Sequence, residues 1–272
     1  MITLDRMDLA DCFTPEDLVK EIFRQCPTLT PPIPVIEIAK AAGIKEVVEM
    51  ELANIGGMLV ADDAKNEGVI LHHIDGPLGR KRFTIGHELG HFLLPKHGAE
   101  QRCLASSIKA GANTQNNNDI ETEANQFAQL LLMPDQFVTY EINRVTPDID
   151  LLLAISKKFE MSFEAMANKC TKQSTYPFAL VYSHHGDIRY CWRNWKSFEP
   201  KIPLKKGDKL PTYSHAAHIQ QPNDSISQFQ QVDPSIWLEN GYEEICLEEQ
   251  TFTQRDGYQV TLLRIRSGQS NL

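Results

Sequence analysis

The sequence predicts an α+β protein, a helical domain carrying a small antiparallel sheet followed by a smaller β-rich C-terminal unit. Apolar residues recur at helical spacing in successive segments between residues 15 and 172. Three short Val-, Ile- or Leu-rich runs, flanked by Gly, Asp or Asn, interrupt that pattern between residues 46 and 73. From Tyr176 onward the runs FALVYS, IRYCW and YQVTLLRIR read as strands, with loops rich in Gly, Pro, Asn and Gln. The expected boundary lies near residue 173, giving domains 1–172 and 173–272.

The elements follow in order. Pro15 to Cys26 places Leu18, Ile22 and Phe23 on one helical face, with Thr14 as N-cap. The stretch TLTPPIPV breaks that helix, and a second one, Val35 to Ala42, ends at Gly43. The strand runs are Glu46 to Leu52, Gly57 to Ala61 and Gly68 to His73. The strongest helix spans Arg80 to Leu94 and is stopped by Pro95. A polar stretch, ASSIKAGANTQNNND, reads as a long loop or lid. Helices are expected again at IETEANQFAQLLLM, at PDQFVTYEI with Pro134 at its start, at Ile149 to Phe159, and at Ser162 to Lys172.

Composition narrows the function. Hydrophobic residues at 42% and charged residues at 23% exclude disordered, collagen-like and coiled-coil readings. No apolar run approaches the roughly 18 residues of a membrane span. The first residues carry Asp5, Asp8 and Asp11 and no apolar stretch, so no secretory signal and a cytoplasmic protein are expected. A net charge of -9 argues against a surface built to hold nucleic acid. The six cysteines lie at wide spacings with no C-x-x-C pair, and are expected to be reduced, mostly buried thiols with no part in a metal site.

The chemistry lies in RFTIGHELGHFLL. His87 and His91 are four apart, so on a helix they stand on one face and can aim nitrogens at one point. Zinc accepts such ligands at about 2.0–2.1 Å in tetrahedral geometry. Glu88 projects beside that point, where it can take a proton from water. Ile85, Leu89 and Phe92 fall opposite and anchor the helix, while Gly86 and Gly90 leave a flank for another backbone. The motif thus predicts a zincin-like domain.

A catalytic zinc needs a third protein ligand and one open position. His97 has the six-residue spacing after His91 of one known pattern, but Leu94 stands where that pattern turns on Gly, so a solvated loop histidine is expected instead. Glu121 shares a helix face with Ala124, Asn125 and Ala128, small residues that permit close packing on the H-E-x-x-H helix. Glu123 points elsewhere, with Gln126 and Leu130, and reads as a solvated charge. Face geometry prefers Glu121 over Glu123, and Asn125 is a candidate to orient a ligand.

The run RKRFTIGHELGHFLL, followed by ETEANQFAQLLLMP, resembles the ImmA/IrrE family of metallo-endopeptidases, which are gluzincin-like. The resemblance covers about residues 15 to 172. It implies zinc held by His87, His91 and Glu121, with Glu88 as catalytic base. It further implies a protein substrate, typically a helix-turn-helix transcriptional repressor, often encoded beside the peptidase in mobile elements or in toxin–antitoxin-like pairs. The residues after 173 vary across the family, and the resemblance implies no role for them. Gly68 to His73 is expected to offer a sheet edge to which substrate could add as a strand.

Two other readings compete. LLLAISKKFEMSFEAMANKC has the shape of a helix-turn-helix, which would make the protein a DNA-binding regulator with a structural or vestigial zinc site. Residues 144–175 hold Arg144, Lys157, Lys158, Lys169 and Lys172 against Asp148, Asp150, Glu160 and Glu164, too even a balance for a face that tracks phosphates. A C-terminal sensor unit is the other, with Trp192, Trp195 and Trp237 as pocket or core residues.

Overall fold

A computed structural model describes residues 2–52, 55–104, 108 and 119–266. The polar stretch expected as a loop or lid over 105–119 lies outside the described residues, apart from Ile108 and Asp119. The described fold is α+β, as the sequence predicts. It divides into two compact units, one built from the residues up to Phe137 together with Ser156–Met166, the other from Val138–Ile155 and the residues from Ala167 on.

The first unit opens with α1 (Arg6–Ala10), a short helix that the apolar spacing does not predict, and α2 (Pro15–Gln25). Thr14 Oγ1 accepts the backbone N–H of Asp17 at 3.2 Å and Pro15 sits in the first turn, so α2 begins where its cap residue dictates. The third helix, α3 (Val35–Ala42), ends on Gly43 at φ 116, a conformation that favours glycine and turns the chain directly into β1 (Ile44–Met50). Next come β2 (Ile55–Ala61) and β3 (Gly68–His73), then α4 (Leu78–Leu93), β4 (Glu100–Leu104) and α5 (Asp119–Leu132).

The sheet order is β1-β3-β2-β4. The small sheet is therefore mixed rather than antiparallel, because β1 pairs β3 in parallel while β2 pairs both β3 and β4 antiparallel. A parallel pair needs a long crossover, and residues 51–67, with β2 inside them, supply it. This arrangement puts β3 between two neighbours, so the Gly68–His73 strand expected at the edge has none free. Among the described residues the outer strands are β1 and β4.

Helices α6 (Asp135–Ile142), α7 (Ile149–Phe159) and α8 (Phe163–Gln173) follow. In α8 the residues Ala165, Met166, Ala167, Asn168, Cys170 and Thr171 are buried. A recognition helix must present one face to a DNA groove, and this much burial leaves α8 poorly suited to that.

The second unit holds a six-stranded sheet of order β6-β5-β10-β9-β7, with β8 also on β9. These strands are β5 (Phe178–His184), β6 (Asp187–Arg193), β7 (Ser225–Ile226), β8 (Gln230–Val232), β9 (Cys246–Thr253) and β10 (Tyr258–Arg266), all paired antiparallel. Val181, Ile188, Phe198, Trp237, Leu247 and Leu263 form its core. Trp237 is a core residue, whereas Trp195 is 66% exposed. The polar sequence CLEEQTFT gives β9 no apolar signature, yet the strand is almost wholly buried. Its carboxylates are matched: Glu249 accepts the Ala216 N–H and the Trp237 indole N–H, and Glu248 pairs with Arg264 at 2.7 Å.

The start of α4 packs tightly on the turn before α8. A Cβ on Gly79 would lie 2.7 Å from Ser162 N and 2.8 Å from Met161 C. Backbone cannot swing aside as a side chain can, so the clash outweighs the roughly 1 kcal/mol that Ala gains over Gly in a helix. Gly79→Ala is expected to lower the stability of the protein by about 1–3 kcal/mol in chemical denaturation.

Candidate metal centre

Helix α4 is buried on every side from Phe83 to Phe92. Ile85, Leu89 and Phe92 anchor it, as their spacing predicts. Its other flank meets α5. A Cβ on Gly90 would stand 3.1 Å from Phe127 and 3.2 Å from the Cα of Ala124, and one on Gly86 3.3 Å from the Ala128 Cβ. Only glycine on one helix and alanine on the other permit so close an approach. At the far end of α4, Lys65 Nζ donates to the His91 and Leu94 carbonyls at 2.7 and 2.9 Å, placing a cation on carbonyls that a helix C-terminus leaves unpaired.

That packing brings Glu121 to the histidine pair. His87 Nε2 and His91 Nε2 are 3.1 Å apart. Glu121 Oε2 lies 3.5 Å from the first and Oε1 3.4 Å from the second. Both rings are fully buried. Cys103 of β4 completes the group: its Sγ is 3.4 Å from His91 Nε2 and 3.7 Å from Glu121 Oε1. His87, His91, Cys103 and Glu121 could together hold a metal ion, since one ligand atom from each lies within 4.8 Å of the others. The expectation that the cysteines stand apart from the metal site therefore fails at Cys103. Nothing in the spacing of the sequence marks this residue, because β4 reaches the site only through its pairing with β2.

Each histidine ring is fixed from behind. Asn125 Oδ1 accepts from His87 Nδ1 at 3.0 Å. His91 Nδ1 meets His97 Nδ1 at 2.8 Å, and His97 Nε2 meets Glu123 Oε2 at 3.1 Å. With Nδ1 so engaged, each Nε2 is left to face the cluster, the arrangement found around metal-bound histidines. Two expectations from the sequence fail here. His97 is not a solvated loop residue but 3% exposed, and Glu123 is not a free surface charge but the carboxylate that holds His97. Helix-face geometry separates Glu121 from Glu123 without revealing that the loop after α4 folds His97 back between His91 and Glu123.

Glu88 stands beside the cluster, fully buried, with Oε2 3.7 Å from Cys103 Sγ. β2 crosses above it, and a Cβ on Gly57 would fall 2.5 Å from Glu88 Oε1. Glycine at 57 is what leaves this carboxylate room. Glu88 Oε1 and Glu121 Oε2 are buried and make no hydrogen bond. A buried carboxylate oxygen without a partner is costly, and a cation with its water would satisfy both.

The electrostatics agree. Burial, with Glu121 nearby adding to it against the Cys103 hydrogen bond, pushes Glu88 up to about 8. Burial lowers His91 to about 4, which keeps the ring neutral as a metal ligand must be. For Glu121 burial acts to raise the pKa, but the two imidazoles beside it outweigh burial and hold the group well below the usual carboxylate range. Burial, then Glu88 and Glu121, keeps Cys103 a neutral thiol when no cation is present. The donor set of two imidazoles, a carboxylate and a thiol fits zinc, which takes nitrogen, oxygen and sulfur ligands in tetrahedral geometry.

Residues 39–171 match the family model Peptidase_M78, the IrrE N-terminal-like domain. Over 136 residues the chain is 25% identical to the radiation response metalloprotease IrrE of Deinococcus radiodurans. The match takes in 50% of this chain but only 40% of that protein's length. Among solved structures, a Mycobacterium tuberculosis transcriptional regulator is 15% identical with a TM-score of 0.49, the likeness covering 97% of this chain and 89% of that one.

Loss of either outer partner should loosen a ring without removing a ligand. His97→Ala and Asn125→Ala are each expected to weaken metal affinity by about 10–100-fold, measured by competition with a chromogenic chelator.

The metal-free chain should also carry a pH signature. Folded, Glu88 keeps its proton up to about pH 8, while unfolded it loses it near the ordinary carboxylate value of 4.5. The folded state thus binds more protons across that window, and stability falls as pH rises through it. Glu88→Gln, neutral throughout, should therefore gain stability relative to wild type between about pH 4 and pH 8 in urea denaturation of the apoprotein.

Proposed function

We propose that the chain, whose residues 39–171 match the IrrE N-terminal-like family model, is a zinc-dependent endopeptidase of the ImmA/IrrE kind acting on a transcriptional repressor or antitoxin-like regulator. The match to that family supports a metallopeptidase with a polypeptide substrate. The observation that supports the finer reading is Glu121 facing the two histidines at 3.4 and 3.5 Å with the buried Glu88 beside them, each carboxylate having one oxygen without a hydrogen bond.

In this reading His87, His91 and Glu121 are the protein ligands and Glu88 is the catalytic base. Bound there, zinc supplies a Lewis acid that makes water nucleophilic near neutral pH and polarises a carbonyl. The rest is done by side chains. Asn125 and the His97–Glu123 pair hold the two imidazoles in the tautomer that leaves Nε2 unprotonated, its lone pair free for a metal. Glu88 takes the proton of the attacking water and carries it to the amine nitrogen released from the scissile bond. Its raised affinity for a proton suits both halves of that transfer, since a base that is too acidic would not accept the proton in the first place. The outer strand β4, which carries Cys103, offers an edge along which an extended substrate could pair.

The peptidase domain is assigned to residues 1–172, and residues 173–272 form a β-rich accompanying domain. The site of action is the cytoplasm, where a helix-turn-helix repressor would be met, including one carried on a mobile element. Among the described residues no helix is long and apolar enough to cross a membrane.

The test pairs metal content with cleavage. The purified protein is expected to carry about one zinc per chain, and His91→Ala to lose it. Co-expressed with a helix-turn-helix repressor, taken from the neighbouring gene where that gene encodes one, the wild type should cut that protein. Glu88→Gln should slow cleavage by about 10²–10⁴-fold while keeping its zinc. Unchanged cleavage by Glu88→Gln would refute the assignment of the base.

A further inference from the structure

We propose that Cys103 is a fourth, displaceable ligand of the metal, so that the site folds closed and becomes catalytic only when water replaces the sulfur. This rests on the reading of His87, His91 and Glu121 as metal ligands, and adds a means of control to it.

Distances carry the first part. In a tetrahedron the ligand–ligand edge is about 1.6 times the bond length. Zinc bonds of about 2.0–2.1 Å to nitrogen and about 2.3 Å to sulfur therefore predict edges of roughly 3.3 Å between nitrogens and roughly 3.5 Å between nitrogen and sulfur. The histidine nitrogens are 3.1 Å apart, and Cys103 Sγ stands 3.4 Å from His91 Nε2. Glu121 Oε1 is 3.4 Å from His91 Nε2 and 3.7 Å from the sulfur. Toward His91 and Glu121, Cys103 thus stands at the distance of a fellow ligand, within a set of four whose ligand atoms lie within 4.8 Å of one another.

Its position is the one that hydrolysis needs. Three protein ligands and one open position make a catalytic zinc site, and four protein ligands make a closed one. The open position must lie beside the base. The group beside Glu88 is the sulfur, 3.7 Å from Oε2. Sulfur and nucleophilic water therefore compete for one place. Their exchange is a simple ligand substitution: the metal–sulfur bond breaks, sulfur keeps the electron pair and takes a proton from solvent, and water enters. No oxidant is required.

The fold holds this residue where it can be moved. Cys103 is 1% exposed, yet it sits on the outermost strand of its sheet among the described residues, paired through Gly57 to β2. The register between β2 and β4 slips between Ile55 and Gly57, directly opposite Cys103 and Leu104. Such irregularities bend an edge strand and re-aim a side chain. A strand that among the described residues pairs on one side, with an irregular register at the residue concerned, is easier to displace than either helix that carries the other ligands.

Cobalt distinguishes the outcomes. Loaded with Co²⁺, the full chain should show the intense near-ultraviolet charge-transfer band of a thiolate–cobalt bond, together with the visible absorption of a four-coordinate ion. Cys103→Ala should keep the visible absorption, lose the ultraviolet band, and bind Co²⁺ at least tenfold more weakly. Cys103→Ser, closest in shape, should lose the same band and guards against a folding defect in the alanine variant. Co²⁺ bound to wild type with no thiolate band, or with a band that persists in both variants, would overturn the proposal while leaving the metal site intact. No Co²⁺ bound by wild type at all would overturn the metal site itself, and this proposal with it.

Discussion

The close approach of α4 and α5 is the constraint on which the site depends. Gly86 and Gly90 on one helix face Ala124 and Ala128 on the other, and at these positions no side chain holds the two backbones apart. Were either glycine larger, the helices would have to give by a few tenths of an ångström, and Glu121 would withdraw by a similar distance from the two imidazoles it now meets at 3.4 and 3.5 Å. Metal coordination tolerates little such error, because ligand distances are fixed to within about 0.2 Å. The small residues are thus as much a part of the metal centre as its ligands.

Around this contact the protein assembles polar groups that would be destabilising without one another. Glu88 is completely buried and lacks a partner for one oxygen, under a strand that clears it only because residue 57 is glycine. The second unit supplies a contrast. Glu249 is also buried on a strand, and burial raises its pKa as well, but both of its oxygens accept hydrogen bonds. A satisfied carboxylate of that kind fixes local structure. One left unsatisfied beside two histidines is in place to meet a ligand.

The outer shell shows the same economy of construction. His97 lies in the segment after α4 and Glu123 on α5, and together they secure the Nδ1 side of His91, as Asn125 secures His87. Lys65 secures the end of the same helix from the loop between β2 and β3. Separate stretches of chain therefore converge to hold two imidazole rings. Catalytic geometry of this kind needs such redundancy, since a ring rotated by a few tens of degrees no longer directs its lone pair at the metal.

Local pattern determines much of this protein. Helical spacing places α2, α3, α4, α5 and α7 to within a few residues, because each carries its own apolar face and its own cap or breaker. The four-residue spacing of His87 and His91, and the small-residue face of Glu121, follow from helix geometry alone, so these residues are legible in the sequence itself. Tertiary structure decides what lies between elements. The parallel pairing of β1 with β3, the polar strand β9 and the pairing of His97 with Glu123 all arise from contacts between residues distant in sequence. Cys103 is the sharpest case. It lies twelve residues from His91, with no periodicity to link them, and only the pairing of β4 across Gly57 sets its sulfur beside Glu88. A sequence encodes such a neighbour through the packing of the whole domain, which no local pattern displays.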